Sequence, residues 1–164
     1  MFEAASAPDQ FIPMTPQEGT RYLAEVAAPL YARQAKETFD AMLRNLIRRH
    51  VGDGTAADAA VASGSFTYQG DTAVIRLNPL TDCVEIFVDM GQPGNPVDHA
   101  EVYGRLLEMN LNSGHYGVLF GRNERSKRLV ASHTMHIALA DEEGELCDGC
   151  LQMLAEAIRS VRTW

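Results

Sequence analysis

The residues best suited to chemistry are two thiols three positions apart, in Cys147-Asp148-Gly149-Cys150, with His133 and His136 a short way upstream. A redox pair needs a depressed thiol pKa, which an exposed helix N-terminus after a strand supplies. Here the pair follows an acidic run, Asp141-Glu142-Glu143-Gly144-Glu145, whose charge raises a thiol pKa instead. Residues three apart share a helix face, so the two thiols fit as small apolar fillers of a core. A zinc site would need two further ligands. His133 and His136 have an odd separation, which on a strand sends them to opposite faces. His99 and His115 flank a helix without a Ser, Cys or carboxylate at a recognisable spacing. No G-x-S-x-G, H-E-x-x-H or P-loop pattern occurs. Gly52-x-Gly54 and Gly91-x-x-Gly94 are too short for a phosphate cradle. Arg48-Arg49-His50 sits where cations complement a helix C-terminus. The side chains therefore predict no catalytic residue, no metal and no cofactor; the protein reads as a non-enzyme.

The elements that position these side chains follow from hydrophobic period. Thr15-Pro16-Gln17-Glu18 carries the signals of a helix start: a cap, a proline at the first position and a capping-box glutamate. Tyr22, Leu23, Val26, Leu30, Phe39, Met42, Leu43, Leu46 and Ile47 give the apolar positions of the helix that follows, and Pro29 is expected to kink or split it near Ala28. Gly52 to Gly64 reads as a loop or a short helix. The period then changes to 2 over residues 65–68, 72–77 and 83–90, a three-stranded antiparallel meander with one buried face. A second helix caps at Asp98 and carries Val102, Tyr103, Leu106, Leu107 and Leu111. Residues 116–122 and 128–138 form a hairpin, and a last helix runs from about 142 to 162. The order α-βββ-α-ββ-α predicts an α+β fold with helices packed on an antiparallel sheet. Residues 1–14 read as a flexible tail and 15–164 as one domain.

The chain has 164 residues, with 22 acidic against 14 basic and a net charge of −8. That balance opposes nucleic-acid binding. No apolar run approaches the ~20 residues of a membrane span, and residues 1–15 lack a signal-peptide pattern. Three cysteines without an export signal predict reduced thiols and a cytoplasmic location. What remains is surface. Phe66, Val74, Phe87 and Phe120 are expected opposite the main apolar stripe of the sheet, where they suggest a protein-binding groove. Tyr103, Leu106, Leu107 and Leu111 exceed what a short helix needs for one core and suggest a self-contact.

Leu106-Leu107-Glu108-Met109-Asn110-Leu111 is similar to the "LLxxN" helix of the CesT/Tir-chaperone family, the small chaperones of bacterial type III secretion. Gly117-Val118-Leu119-Phe120-Gly121, the hairpin into Arg128-Leu129-Val130, Ile137-Ala138-Leu139 and the final helix follow in family order. The longer Pro29-broken first helix, the 52–64 segment and the tail depart from the family pattern. The resemblance implies an ATP-independent homodimer that holds the N-terminal segment of a secreted effector in extended form, adding strands at sheet edges, before hand-off to a secretion ATPase. It implies a dimer contact through Tyr103, Leu106, Leu107 and Leu111, and effector binding through Phe66, Val74, Phe87 and Phe120. A non-secretory regulator or adaptor on the same fold is the alternative, and a Cys-based redox or zinc protein the third reading.

Overall fold

The computed structural model describes residues 14–92, 99–112 and 117–162. The chain divides into two compact units, residues 1–34 and 35–164, and the division falls within a helix. Expectations for the tail, for Asp98 and for His115 fall on residues outside those described.

In the first unit, α1 (Pro16–Tyr22) starts on the capping box read from the sequence: the Thr15 hydroxyl accepts from the Glu18 N–H, and the Glu18 carboxylate accepts from the Thr15 N–H at 2.9 Å. A π-helical turn, Leu23–Ala27, leads into α2 (Ala28–Val51). The π turn interrupts the α-helix just before Pro29, at the place where a kink or split near Ala28 is expected, while the helical run continues through it. A proline ring collides with the carbonyl four residues back, and widening the preceding turn to i→i−5 bonds, such as Ala28 N–H to Leu23 O, relieves that collision. None of the described residues in this unit is buried; Tyr22, Leu23, Val26, Leu30 and Tyr31 are all exposed.

The second unit holds the core. The remainder of α2 buries Phe39, Met42, Leu43, Leu46 and Ile47, the i, i+3, i+4, i+7, i+8 stripe expected from the sequence. The 52–64 segment forms a helix, α3 (Thr55–Ser63), favoured by its run of alanines and bounded by glycines. Gly64 ends it at φ 66°, and a Cβ there would lie 2.4 Å from the Ile75 carbonyl oxygen, so only glycine fits this junction. Strands β1 (Ser65–Tyr68), β2 (Asp71–Asn78), β3 (Cys83–Gly91), β4 (Leu119–Arg122) and β5 (Leu129–His136) form one antiparallel sheet in the order β1-β2-β3-β5-β4. Helix α4 (His99–Asn112) precedes β4, and α5 (Glu145–Arg162) ends the described chain. The α+β order of helix, meander, helix, hairpin and helix is the expected one, with α3 added.

One face of the sheet is core. Phe66, Ala73, Ile75, Val84, Ile86, Val88, Phe120, Ala131 and Met135 are buried there with residues of α2 and α5. The buried stripe of α5 is Cys147, Cys150, Leu151, Leu154, Ala155 and Ile158, which leaves Leu146 exposed. Asp141 starts α5 by accepting from the N–H groups of Glu145 and Leu146 at 2.9 and 3.1 Å. The ends of α2 and α5 are joined through Asp148, which takes Arg49 Nη1 at 3.1 Å and His50 Nε2 at 2.7 Å.

Candidate binding face

Pairing register fixes what the outer face of the sheet displays. One cross-strand row runs Ser65–Val74–Phe87–Ser132–Leu119, and the next runs Thr72–Asp89–Val130–Gly121. Val74, Phe87 and Val130 are half-buried, and Leu119 is 57% exposed. Val74, Phe87 and Val130, with Arg76, Asp89, Gly121, Arg122, Asn123, Ser126 and Ser132, line an open groove of about 480 Å³. Two of its three charged residues, Arg76 and Asp89, are paired in place. Arg76 Nε donates to Glu85 Oε2 at 2.6 Å, and its guanidinium lies 4.8 Å from the Phe87 ring centre. Asp89 accepts from Arg128 Nε at 2.6 and 2.9 Å and from the Gly91 N–H at 2.8 Å. The last bond holds the irregularity between Asp89 and Gly91, where β3 shifts register against β5. Hydrogen bonds from Asn78, then from Arg76, hold the Glu85 carboxyl below its ordinary pKa.

Two expectations for this face are corrected. Phe66 pairs with Ala73 and Phe120 with Ala131, and all four point into the core. Each phenylalanine is 6% exposed and belongs to the core of its own chain. The apolar outward residue of β4 is Leu119, which the sequence reading passed over. The alternation of Val118 and Phe120 against Leu119 and Gly121 carries that signal, since a glycine contributes nothing to a core stripe.

Helix α4 is also corrected in part. Leu106 is 4% exposed and belongs to the core of its own chain. Tyr103 is half-buried, with the Arg122 guanidinium 5.7 Å from its ring centre. Only Leu107 and Leu111, at 63% and 85% exposure, face outward. Asn110 anchors the helix to the sheet: its side-chain NH₂ donates to the Phe120 carbonyl at 2.8 Å, and its side-chain oxygen accepts from the Phe120 N–H at 2.7 Å. These are the groups an added strand would use, so the β4 edge is closed at its centre. At the other edge, the Ser63 hydroxyl accepts from the Ser65 N–H at 3.2 Å.

The residues first considered for chemistry have structural duties. Cys147 and Cys150 are buried, and burial, then the nearby Cys150, Asp148 and Asp141, push the Cys147 thiol up to about 12. Cys150 is likewise raised by burial. A thiol held protonated at neutral pH is a poor nucleophile. His133 donates from Nδ1 to the Gly117 carbonyl at 3.0 Å, and His136 accepts from the Ala138 N–H at 3.1 Å. They sit on opposite faces of β5, opposite Ile86 and Cys83 respectively.

No protein-family model matches the chain, and no curated protein matches it in sequence. Solved structures match its fold. A chain of the HopA1–SchA chaperone–effector complex aligns with a TM-score of 0.52 at 13% identity, covering 74% of this chain and 91% of that one. A chain of the ExsC–ExsE complex aligns with a TM-score of 0.48 at 13% identity, covering 57% of this chain and 68% of that one. The first likeness bears on the fold alone: an α+β domain with a five-stranded antiparallel sheet. No helix among the described residues is long and apolar enough to cross a membrane.

Proposed function

We propose that the chain is a chaperone and not an enzyme. Acting in the cytosol without ATP, it binds the N-terminal segment of a type III secreted effector as a homodimer and keeps that segment competent for export. The observation that carries this reading is the apolar row of the outer sheet face, Val74, Phe87 and Leu119, uncovered among the described residues, on a fold matched in a chaperone–effector complex. Surface of that kind, on a chain whose reactive side chains serve its own structure, fits a binder of unfolded segments. Leu107 and Leu111 are the residues of α4 free to form the dimer contact. The closed β4 edge favours capture on the sheet face over strand addition beside α4. The −8 charge keeps such an apolar-patched protein soluble.

Affinity capture from the native organism, combined with light scattering, tests the reading. The expected outcome is a dimer that retains a secreted protein through its first ~100 residues, with retention lost in Val74→Ser/Phe87→Ser. A strict monomer that retains no secreted protein overturns it.

A further inference from the structure

We infer that the outer-face groove is a socket for an uncharged apolar stretch of the partner, and that Gly121 sets its capacity. The inference rests on the reading of this face as the partner-binding surface. Gly121 lies in β4 directly opposite Val130, beside the row that carries Phe87 and Leu119. A glycine inside a strand forgoes packing and costs conformational entropy, and it persists where a turn, a close approach or a ligand requires it. Neither of the first two applies. Gly121 is not among the positive-φ residues, and a Cβ built on it meets nothing within 4 Å. The missing side chain therefore opens space above Val130, between Phe87 and the turn at Asn123–Ser126.

The charge pattern names the occupant. Of the three charged residues that border the opening, Arg76 is paired with Glu85 and Asp89 with Arg128, while Arg122, which alternates with Gly121 along β4, holds its guanidinium 5.7 Å from the Tyr103 ring centre. A charged partner residue would be desolvated there, and to gain a counter-ion it would have to break one of those pairs or draw Arg122 off the Tyr103 ring. A neutral apolar residue meets Val74, Phe87 and Val130 at no such cost. The complement to a rim whose charges are already engaged and an apolar floor is thus an extended segment with a large aliphatic side chain between uncharged neighbours.

The probe is a short capped peptide of alternating serine and leucine, with two relatives in which the central leucine is aspartate or lysine. Binding is read from the Val74 and Val130 methyl signals of the full-length protein. The neutral peptide is expected to shift both methyls, and the charged peptides to bind about ten-fold more weakly or worse. Gly121→Val fills the opening in a β-compatible way and should abolish the shifts with an unchanged or higher Tm, and Gly121→Ala should weaken them. The proposal is overturned if the neutral peptide shifts neither methyl, or if Gly121→Val binds it as well as the parent. Shifts produced by concentrating the protein alone would assign the groove to a second copy, and also overturn it. Retention of a secreted effector that Gly121→Val leaves intact would sink the socket while leaving the chaperone reading standing. Peptide binding without effector retention would do the reverse.

Discussion

Ile86 and Phe87 are neighbours on β3 with opposite fates. Ile86 is fully buried, in register with Ile75 on one side and His133 on the other. Phe87 is half-buried on the other face, between Val74 and Ser132, with a guanidinium resting on its ring. The inner face is covered with α2 and α5 residues and carries stability. The outer face is uncovered among the described residues and keeps its few charges paired with one another. A sheet needs only one packed face to fold, so the second is free to be shaped by binding. Replacing each residue by alanine separates the two roles. Ile86→Ala deletes core volume that α5 cannot collapse into and should cost about 2–5 kcal/mol in denaturant unfolding. Phe87→Ala removes a side chain with solvent on one side and should cost about 1 kcal/mol or less. Equal losses would mean that the outer face is packed against something, and the contrast between the faces would fail.

The edges divide along the same line. Asn110 joins α4 to β4 through both polar groups of Phe120, a residue whose ring belongs to the inner face. Asn110→Leu keeps the shape but leaves a backbone N–H and C=O without those partners. A loss of about 1–2 kcal/mol is expected, below the cost of Ile86→Ala. The same change reopens the β4 edge, and an exposed edge pairs with other chains. Sedimentation should therefore show concentration-dependent self-association absent from the parent. A variant that stays as stable and as dispersed as the parent would show that Asn110 neither anchors α4 nor guards the edge.

Much of this arrangement is legible in the residues. Residues 72–77 and 83–90 are long enough for alternation to declare a face, so Ile75, Val84, Ile86 and Val88 fall inward and Val74 and Phe87 outward as read. The α2 stripe from Phe39 to Ile47 and the box at Thr15 and Glu18 are equally local signals. The four-residue strands β1 and β4 offer only two residues per face, and both faces of β4 carry apolar side chains. Their orientation is set by partners on neighbouring elements, which the strand's own residues do not specify: Ala73 opposite Phe66, Ala131 and Asn110 around Phe120. That is why Phe66 and Phe120 were expected outward and Leu119 was missed. The groove was out of reach for the same reason, since Gly121 matters only when Val130 is known to lie opposite it. Leu106 is buried by the packing of α4 on the core, which helical spacing alone does not specify.

The smallest expected effect comes from two carboxylates, one serving each face. Asp141 begins the helix that covers the inner face; burial raises its pKa, but backbone N–H groups of Leu146 and Glu145 outweigh that and hold it low. Glu85 stands on the outer face and is held low by Asn78 and Arg76. A carboxyl with a depressed folded-state pKa contributes its stabilisation fully above its unfolded value, and loses it as pH falls through the folded one. Melting temperature should therefore be flat near neutrality and decline below about pH 4–5, where unfolded carboxylates begin to take up protons. Asp141→Asn keeps one of the two accepting oxygens and no titrating group, so it should flatten part of that decline by lowering the melting temperature at pH 7. Glu85→Gln should flatten it less, because its partners are solvated and their pairing is screened. If Glu85→Gln removed the larger share, the acid sensitivity of the fold would reside on the face assigned to binding, and the division of labour between the two faces would have to be redrawn.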